Sequence, residues 1–161
     1  MKLITTKLLS HSQQSQILTL WNAEYPVNLA HKSIKGLQDF LAKMEDAHHV
    51  LLVEDGVISG WYVDFIRDNE RWFTLILRSE IHGRGYGTQL LNQAKALRPE
   101  LNGWVIDHNN DVKLSGSVYQ SPLAFYLKNG FQVIPEIRLE LDVISAVKIV
   151  WRKQDDERSE F

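Results

Sequence analysis

Three glycines at alternate positions, Gly83, Gly85 and Gly87, stand between the apolar run Trp72-Phe73-Thr74-Leu75-Ile76-Leu77 and a periodic one carrying Leu90, Leu91, Ala94 and Leu97. No other stretch restricts the fold as much. The first run has strand character; the second recurs at helical spacing and stops at Pro99. The glycines therefore lie in a strand-to-helix turn. Glycine admits backbone conformations closed to other residues and lets a ligand approach the main chain. The N–H groups that open a helix have no partner inside it, and with the helix dipole they favour an anion. Arg84, and His82 when protonated, add side-chain charge. A dinucleotide fingerprint needs G-x-G-x-x-G and a P-loop needs G-x-x-x-x-G-K followed by Ser or Thr, and this spacing matches neither.

The chain on both sides of this turn gives a consistent order of elements. Lys2 to Lys7 reads as an opening strand. Ser10, with Gln13 three residues on, predicts the start of a helix that buries Ile17, Leu18, Leu20 and Trp21 and ends at Glu24-Tyr25-Pro26. Ser33 caps a second helix with the stripe Leu37, Phe40, Leu41 and Met44. Val50 to Val53, the turn at Asp55-Gly56 and Val57 to Phe65 form a hairpin, and Trp72 to Leu77 extends it into an antiparallel meander. After the glycine turn and its helix, Gly103 to Asp107 predicts a buried strand and His108 to Gly116 a loop. Ser121-Pro122 opens a further helix that Asn129-Gly130 closes, and strands at Ile137 to Leu141 and Ala146 to Trp151 finish the chain. The order β-α-α-β-β-β-α-β-α-β-β describes a mixed α/β domain, expected to span residues 1–151, with a charged tail at 152–161.

Composition narrows the function. With 161 residues, 44% apolar and 24% charged, the chain is the size and character of one self-folding soluble domain. It has no cysteine, which excludes disulfides, thiolate metal sites and cysteine nucleophiles and fits a reducing, cytoplasmic setting. No stretch approaches the ~20 apolar residues of a membrane span, and a formal charge of −2 offers nucleic acid or anionic lipid no global attraction. His48 and His49 are adjacent on a strand and point to opposite faces, so no metal site is expected there.

Two motifs carry a resemblance to a known family. The segment from His82 to Gly87 resembles the coenzyme A signature of the GNAT acetyltransferases: Arg or Gln, two free positions, Gly, one free position, then Gly or Ala. His82 takes the first position, and Gly85 and Gly87 the small ones. Tyr126-Leu127-Lys128-Asn129-Gly130-Phe131 resembles the family's second signature, a helix ending in Y-x-x-x-G-F. The resemblance implies a mostly antiparallel, twisted central sheet of about seven strands flanked by four helices. It implies acetyl-CoA as co-substrate, its pyrophosphate on the amides of Gly83, Arg84, Gly85, Tyr86, Gly87 and Thr88, with Leu77 and Ser79 along the pantetheine arm. It also implies Tyr126 as the acid that protonates the departing thiolate, and a backbone N–H around Ile76 to Leu77 as oxyanion donor. Two departures accompany it: the stretch Asn109 to Tyr119 is long, and Tyr119 stands where an asparagine often precedes the helix.

The activity so implied is transfer of an acetyl group to a primary amine of a small molecule or peptide. Without cysteine, direct attack in a ternary complex is the natural route. A lysine-like amine is mostly protonated at neutral pH, so a base is needed. The strand Trp72 to Leu77 contains no Asp or Glu, which leaves His108 as the best matched candidate, with Asp107, Glu24 and Asp64 behind it. Trp21, Tyr25, Trp61 and Tyr62 are candidates for an acceptor pocket. A noncatalytic coenzyme A-binding module and an interaction domain with an incidental glycine turn stay open, as does a homodimer formed through terminal strands.

Overall fold

The structure is a computed structural model and describes residues 1–154. Seven strands form one sheet: β1 (Lys2–Thr6), β2 (Glu45–Glu54), β3 (Val57–Arg67), β4 (Glu70–Leu77), β5 (Glu100–Val105), β6 (Gln132–Leu141) and β7 (Ile144–Arg152). Their order across the sheet is β1-β2-β3-β4-β5-β7-β6, antiparallel throughout except for the parallel pair β4–β5. Four α-helices flank it: α1 (His11–Glu24), α2 (Ile34–Ala42), α3 (Tyr86–Leu97) and α4 (Leu123–Lys128). The expected order of elements and the mostly antiparallel seven-stranded sheet are what the chain forms. No helix among the described residues is long and apolar enough to cross a membrane.

The alternation of β3 explains the two layers. Trp61, Val63 and Phe65 turn to one face and pack with Ile17, Leu20, Trp21 and Leu37 of α1 and α2. Tyr62 turns to the other and packs with Phe73, Leu90, Leu91, Tyr126 and Ile149 beneath α3 and α4. Burying a side chain such as Ile17 or Leu37, both 0% exposed, stabilises the fold by roughly 1.5–3 kcal/mol. Helix α1 starts as its sequence predicts: Gln13 N–H donates to Ser10 Oγ (3.1 Å) and Ser10 N–H to Gln13 Oε1 (2.8 Å), a box worth about 1 kcal/mol.

Several boundaries differ from expectation. Helix α2 ends at Ala42, so Met44 joins the core from the connection to β2 rather than from the helix. Strand β5 begins directly after Pro99 and stops at Val105. Helix α4 has Pro122, not Ser121, at its N-cap; Ser121 Oγ instead donates to Ile106 O (2.6 Å) and accepts from Leu123 N–H (3.2 Å). Strand β6 starts at Gln132, five residues early, because it is an edge strand whose register breaks between Ile134 and Arg138 and so accommodates Pro135. Arg152 belongs to β7 opposite Glu100, and Lys153 N–H donates to Pro99 O (2.8 Å). The remainder of the expected tail, 155–161, lies outside the described residues.

Candidate active site

The parallel strands β4 and β5 are in register only at Trp72 and Asn102. Beyond that pair they part, so the edge of β4 towards Leu77 has no ladder to β5. A crevice outside the carboxyl ends of parallel strands is where α/β folds place their ligands, and here the glycine turn closes its mouth. Arg78 N–H donates to Ser59 O (2.8 Å), a 3-10 turn covers Ser79–Ile81, and buried Ile81 anchors it. Gly83 and Gly85 then take φ values of +77° and +86°, a left-handed region that costs L-residues energy. Gly85 is the N-cap of α3, whose first bond runs from Gln89 N–H to Gly85 O (3.0 Å). Among the described residues the amides of Gly83 through Thr88 have no acceptor in the protein. A Cβ on Gly87 would sit 2.8 Å from Phe125 and 3.5 Å from Leu77, so this glycine lets the first turn of α3 close onto α4 and the end of β4. Exposed unspent donors, a helix start and Arg84 beside them fit a pyrophosphate.

Two predicted ligand residues have other engagements. His82 folds back on the strand, its Nε2–H donating to Leu77 O (2.9 Å), so it braces the turn and spends there the donor expected to face phosphate. Ser79 stands at the mouth, but its N–H and Oγ both donate to the Glu24 carboxylate (3.1 and 2.5 Å). Lys113 Nζ completes this cluster, 3.2 Å from Glu24 Oε1 and 3.0 Å from Ser79 Oγ. Burial pushes the Glu24 carboxyl up, yet the hydrogen bonds from Ser79 and Lys113 outweigh it and leave its pKa below the ordinary value. Glu24 is thus a fixed anion and a poor base.

Lys113 reaches Glu24 because the long loop is ordered. Lys113 N–H donates to Ser117 O (2.8 Å), Tyr119 N–H to Asp111 O (2.9 Å) and Val27 N–H to Val112 O (2.9 Å), making a small hairpin that docks on the segment after α1. The same docking brings Tyr119 to Tyr25, ring centroids 6.3 Å apart. Tyr126 projects from α4 into Phe73, Phe125 and Phe131, at centroid distances of 5.7, 5.1 and 5.4 Å. Gly130 (φ +86°) ends this helix, with Phe131 N–H returning to Tyr126 O (3.1 Å). The hydroxyls of Tyr25, Tyr119 and Tyr126 have no partner among the described residues, and they feel one another's charge. Burial, then repulsion from Tyr119, raises the Tyr126 pKa, and burial, then Tyr119 and Tyr126, raises that of Tyr25. Burial, then the charges of Asp111 and Glu24, pushes Tyr119 up to about 12.

His108 is tied into this group through Asp111, whose carboxylate lies 4.0 Å from its Nε2, while its Nδ1 accepts from Asn110 N–H (3.1 Å). The other base candidates are spoken for. Asp107 forms a two-pronged pair with Arg138 (2.9 and 3.1 Å), whose hydrogen bonds outweigh burial and lower its pKa. Asp64, 1% exposed, is held by Arg71 (3.2 Å), Arg98 (2.9 Å) and the Tyr62 hydroxyl (2.7 Å), opposite Phe73 and away from the mouth. Of the four aromatics proposed for an acceptor pocket only Tyr25 faces the site. Trp21 and Trp61 are core, with indoles donating to Leu29 O (2.8 Å) and His49 Nδ1 (2.9 Å), and Tyr62 is buried with its hydroxyl spent on Asp64. Sequence reasoning missed Tyr25 as a partner of Tyr126, and Glu24, Ser79 and Lys113 as one cluster. The only signal was the alternation around Ser115-Gly116, which marks the loop as a hairpin. Among the described residues no three His, Asp or Glu side chains are grouped to hold a metal.

A splayed parallel pair facing a glycine-capped helix start, within this strand order, defines an α/β domain whose turn leaves a run of amides free for an anion. The acetyltransferase (GNAT) domain pattern matches residues 45–133, more than half of the chain, and the protein belongs to that family. Among solved structures, an aminoglycoside 6'-N-acetyltransferase complexed with coenzyme A superposes with TM-score 0.71 at 14% identity, covering 97% of this chain and 100% of that one. An acyl-CoA N-acyltransferase from Pseudomonas aeruginosa gives 0.66 at 16% identity, with 92% and 97% covered. The PaiA N-acetyltransferase from Thermoplasma acidophilum, also in complex with coenzyme A, gives 0.62 at 16% identity, with 95% and 100% covered. No curated protein matches the sequence. At these identities the likeness speaks for the fold.

Proposed function

We propose that the protein transfers the acetyl group of acetyl-CoA to the primary amine of a small molecule or peptide, by direct attack with both substrates bound. The observation that carries this reading is the run of amides from Gly83 to Thr88 without an acceptor in the protein, set at the mouth between β4 and β5. Acetyl-CoA supplies an activated thioester there, with its pyrophosphate on those amides. The β5-facing edge of β4 near Leu77 donates an N–H to the carbonyl oxygen as charge develops on it. As the amine nitrogen bonds to the carbonyl carbon and the C–S bond breaks, Tyr126 gives its proton to sulfur. Burial keeps this phenol protonated, and the same apolar surroundings raise the proton affinity of the departing thiolate. His108, with the Asp111 carboxylate 4.0 Å from its Nε2, takes the proton the amine loses; its Nδ1 exchanges the Asn110 amide for that proton. Aminoglycosides, the acceptors named for several similar folds, belong in a first panel of amines.

Calorimetric titration with acetyl-CoA tests the cradle. Wild type is expected to bind and Gly85→Glu to lose about tenfold or more in affinity, since the variant puts a negative side chain at an anion site. Absence of wild-type binding in a folded sample overturns the reading. Binding without turnover on the amine panel points instead to a coenzyme A-binding module.

A further inference from the structure

Helix α3 carries the glycine turn at its start and Lys95 in its last turn. From there the Lys95 ammonium reaches across to α4, where it donates to Asn129 O and lies 5.6 Å from the centre of the Phe131 ring and 5.3 Å from that of Trp151. Aromatic faces at such distances attract a cation. Burial lowers the Lys95 pKa, and no carboxylate opposes that shift. A half-buried cation answered by a carbonyl and two rings, rather than by a counter-charge, is held where a charge is costly. What it touches shows what it does there.

Both contacts on α4 are supports of Tyr126. The helix has six residues, too few to keep its shape without packing. Phe125, near its start, rests against Gly87 of α3. Its end is closed by Asn129 N–H on Phe125 O and Tyr126 O (3.1 and 3.0 Å) and by Phe131 N–H on Tyr126 O (3.1 Å). Asn129 is the C-cap, and its carbonyl is one of the groups a helix end leaves without a partner; Lys95 supplies the donor. The Tyr126 phenol has no hydrogen bond at its own tip, so the rings around it set its direction. Phe131, 5.4 Å from it, is one of them and is the ring that faces the ammonium. Lys95 thus braces the backbone that carries Tyr126 and a ring that flanks it.

We propose that Lys95 is a positioning residue for Tyr126: by holding Asn129 O and the Phe131 ring, it aims the phenol at the sulfur of a thioester whose pyrophosphate rests at the start of the same helix α3. The inference rests on the acetyltransferase reading, since it takes Tyr126 as the acid. Lys95→Met keeps the reach of the side chain and removes its donor and charge; Lys95→Arg keeps both. Each is made in wild type and in Tyr126→Phe and assayed below its melting transition. In wild type Lys95→Met is expected to lower kcat about tenfold, with the Kd for acetyl-CoA unchanged within about twofold, and Lys95→Arg to recover most of that loss. In Tyr126→Phe the same Lys95→Met change should cost less than about twofold, because no phenol is left to aim, whereas a merely structural residue costs the same in both backgrounds. A second readout needs no turnover. With tyrosine isotope-labelled at Cζ, the Tyr126 carbon signal, identified by its loss in Tyr126→Phe, should shift in Lys95→Met and return in Lys95→Arg. Unchanged kcat in Lys95→Met, an equal loss in the Tyr126→Phe background, no difference between the two Lys95 variants, or an unmoved Tyr126 signal each overturns the proposal. A folded wild type that turns over no amine of the panel overturns the acetyltransferase reading instead, and the Tyr126 signal then still decides whether Lys95 sets that ring.

Discussion

The two ends of β4 hold polar groups in opposite states. Near its start, opposite Phe73, the Asp64 carboxylate is sealed from water and meets Arg71, Arg98 and the Tyr62 hydroxyl, so its hydrogen-bonding capacity is spent. Past its end, the amides of Gly83 to Thr88 are unspent, and Gly83, Arg84 and Gly85 are exposed. A buried charge left unpaired is costly, so it persists only when fully answered. Unspent donors at a surface turn cost little, because water answers them until a ligand does. Spent capacity marks structure here, and unspent capacity marks the proposed site.

The largest effect expected from this contrast falls on the spent end. Asp64→Ala leaves Arg71 and Arg98, only 13% and 22% exposed, without their shared partner and should cost about 3–5 kcal/mol of stability in urea unfolding. Acetyl-CoA affinity measured where the variant is still folded should not change. A variant that keeps its stability but loses acetyl-CoA would erase the distinction between the two ends.

Two tyrosines sharpen the same contrast. Tyr126→Phe removes a hydroxyl with no protein partner, so stability should hold while kcat falls by roughly 100-fold, the lower range for a lost general acid. Tyr62→Phe takes a donor away from Asp64 and should do the reverse, costing about 1–3 kcal/mol with kcat intact. If Tyr126→Phe also leaves kcat intact, the protonation role assigned to it is wrong.

The sequence carries one end of this comparison better than the other. The glycine turn is local, because its conformations depend on residues within one turn of chain, and the capping box at Ser10 and the close at Gly130 are legible for the same reason. The Asp64 network joins β3, β4 and the residue after α3, and the Glu24–Ser79–Lys113 cluster joins residues up to 89 positions apart. No periodicity encodes such meetings; they follow from sheet order and from the docking of the 112–118 hairpin. Asp64 therefore reads in sequence as a base candidate and proves to be a brace. His82 reads as a phosphate ligand by motif position, and only the path of the turn reveals that its ring meets Leu77 O.

His49 stands between the two states, one nitrogen spent on Trp61 and the other free. Burial first, then the charge of His48, lowers its pKa to about 4, against the pull of Asp64. A protonated ring would also set an N–H against the indole N–H. The unfolded chain binds this proton near pH 6.5, so between about 6.5 and 4 it holds a proton that the native state refuses. The stabilisation tied to the neutral ring is thus complete above pH 6.5 and lost as the pH falls towards 4, at a rate of at most ~1.4 kcal/mol per pH unit. Urea midpoints at pH 7, 6 and 5 should show this slope in wild type. It should be flatter in His49→Gln, whose amide oxygen can still accept from Trp61 but takes up no proton. Identical slopes would mean that the native ring does accept the proton, and with it that the Trp61 hydrogen bond does not hold His49 neutral.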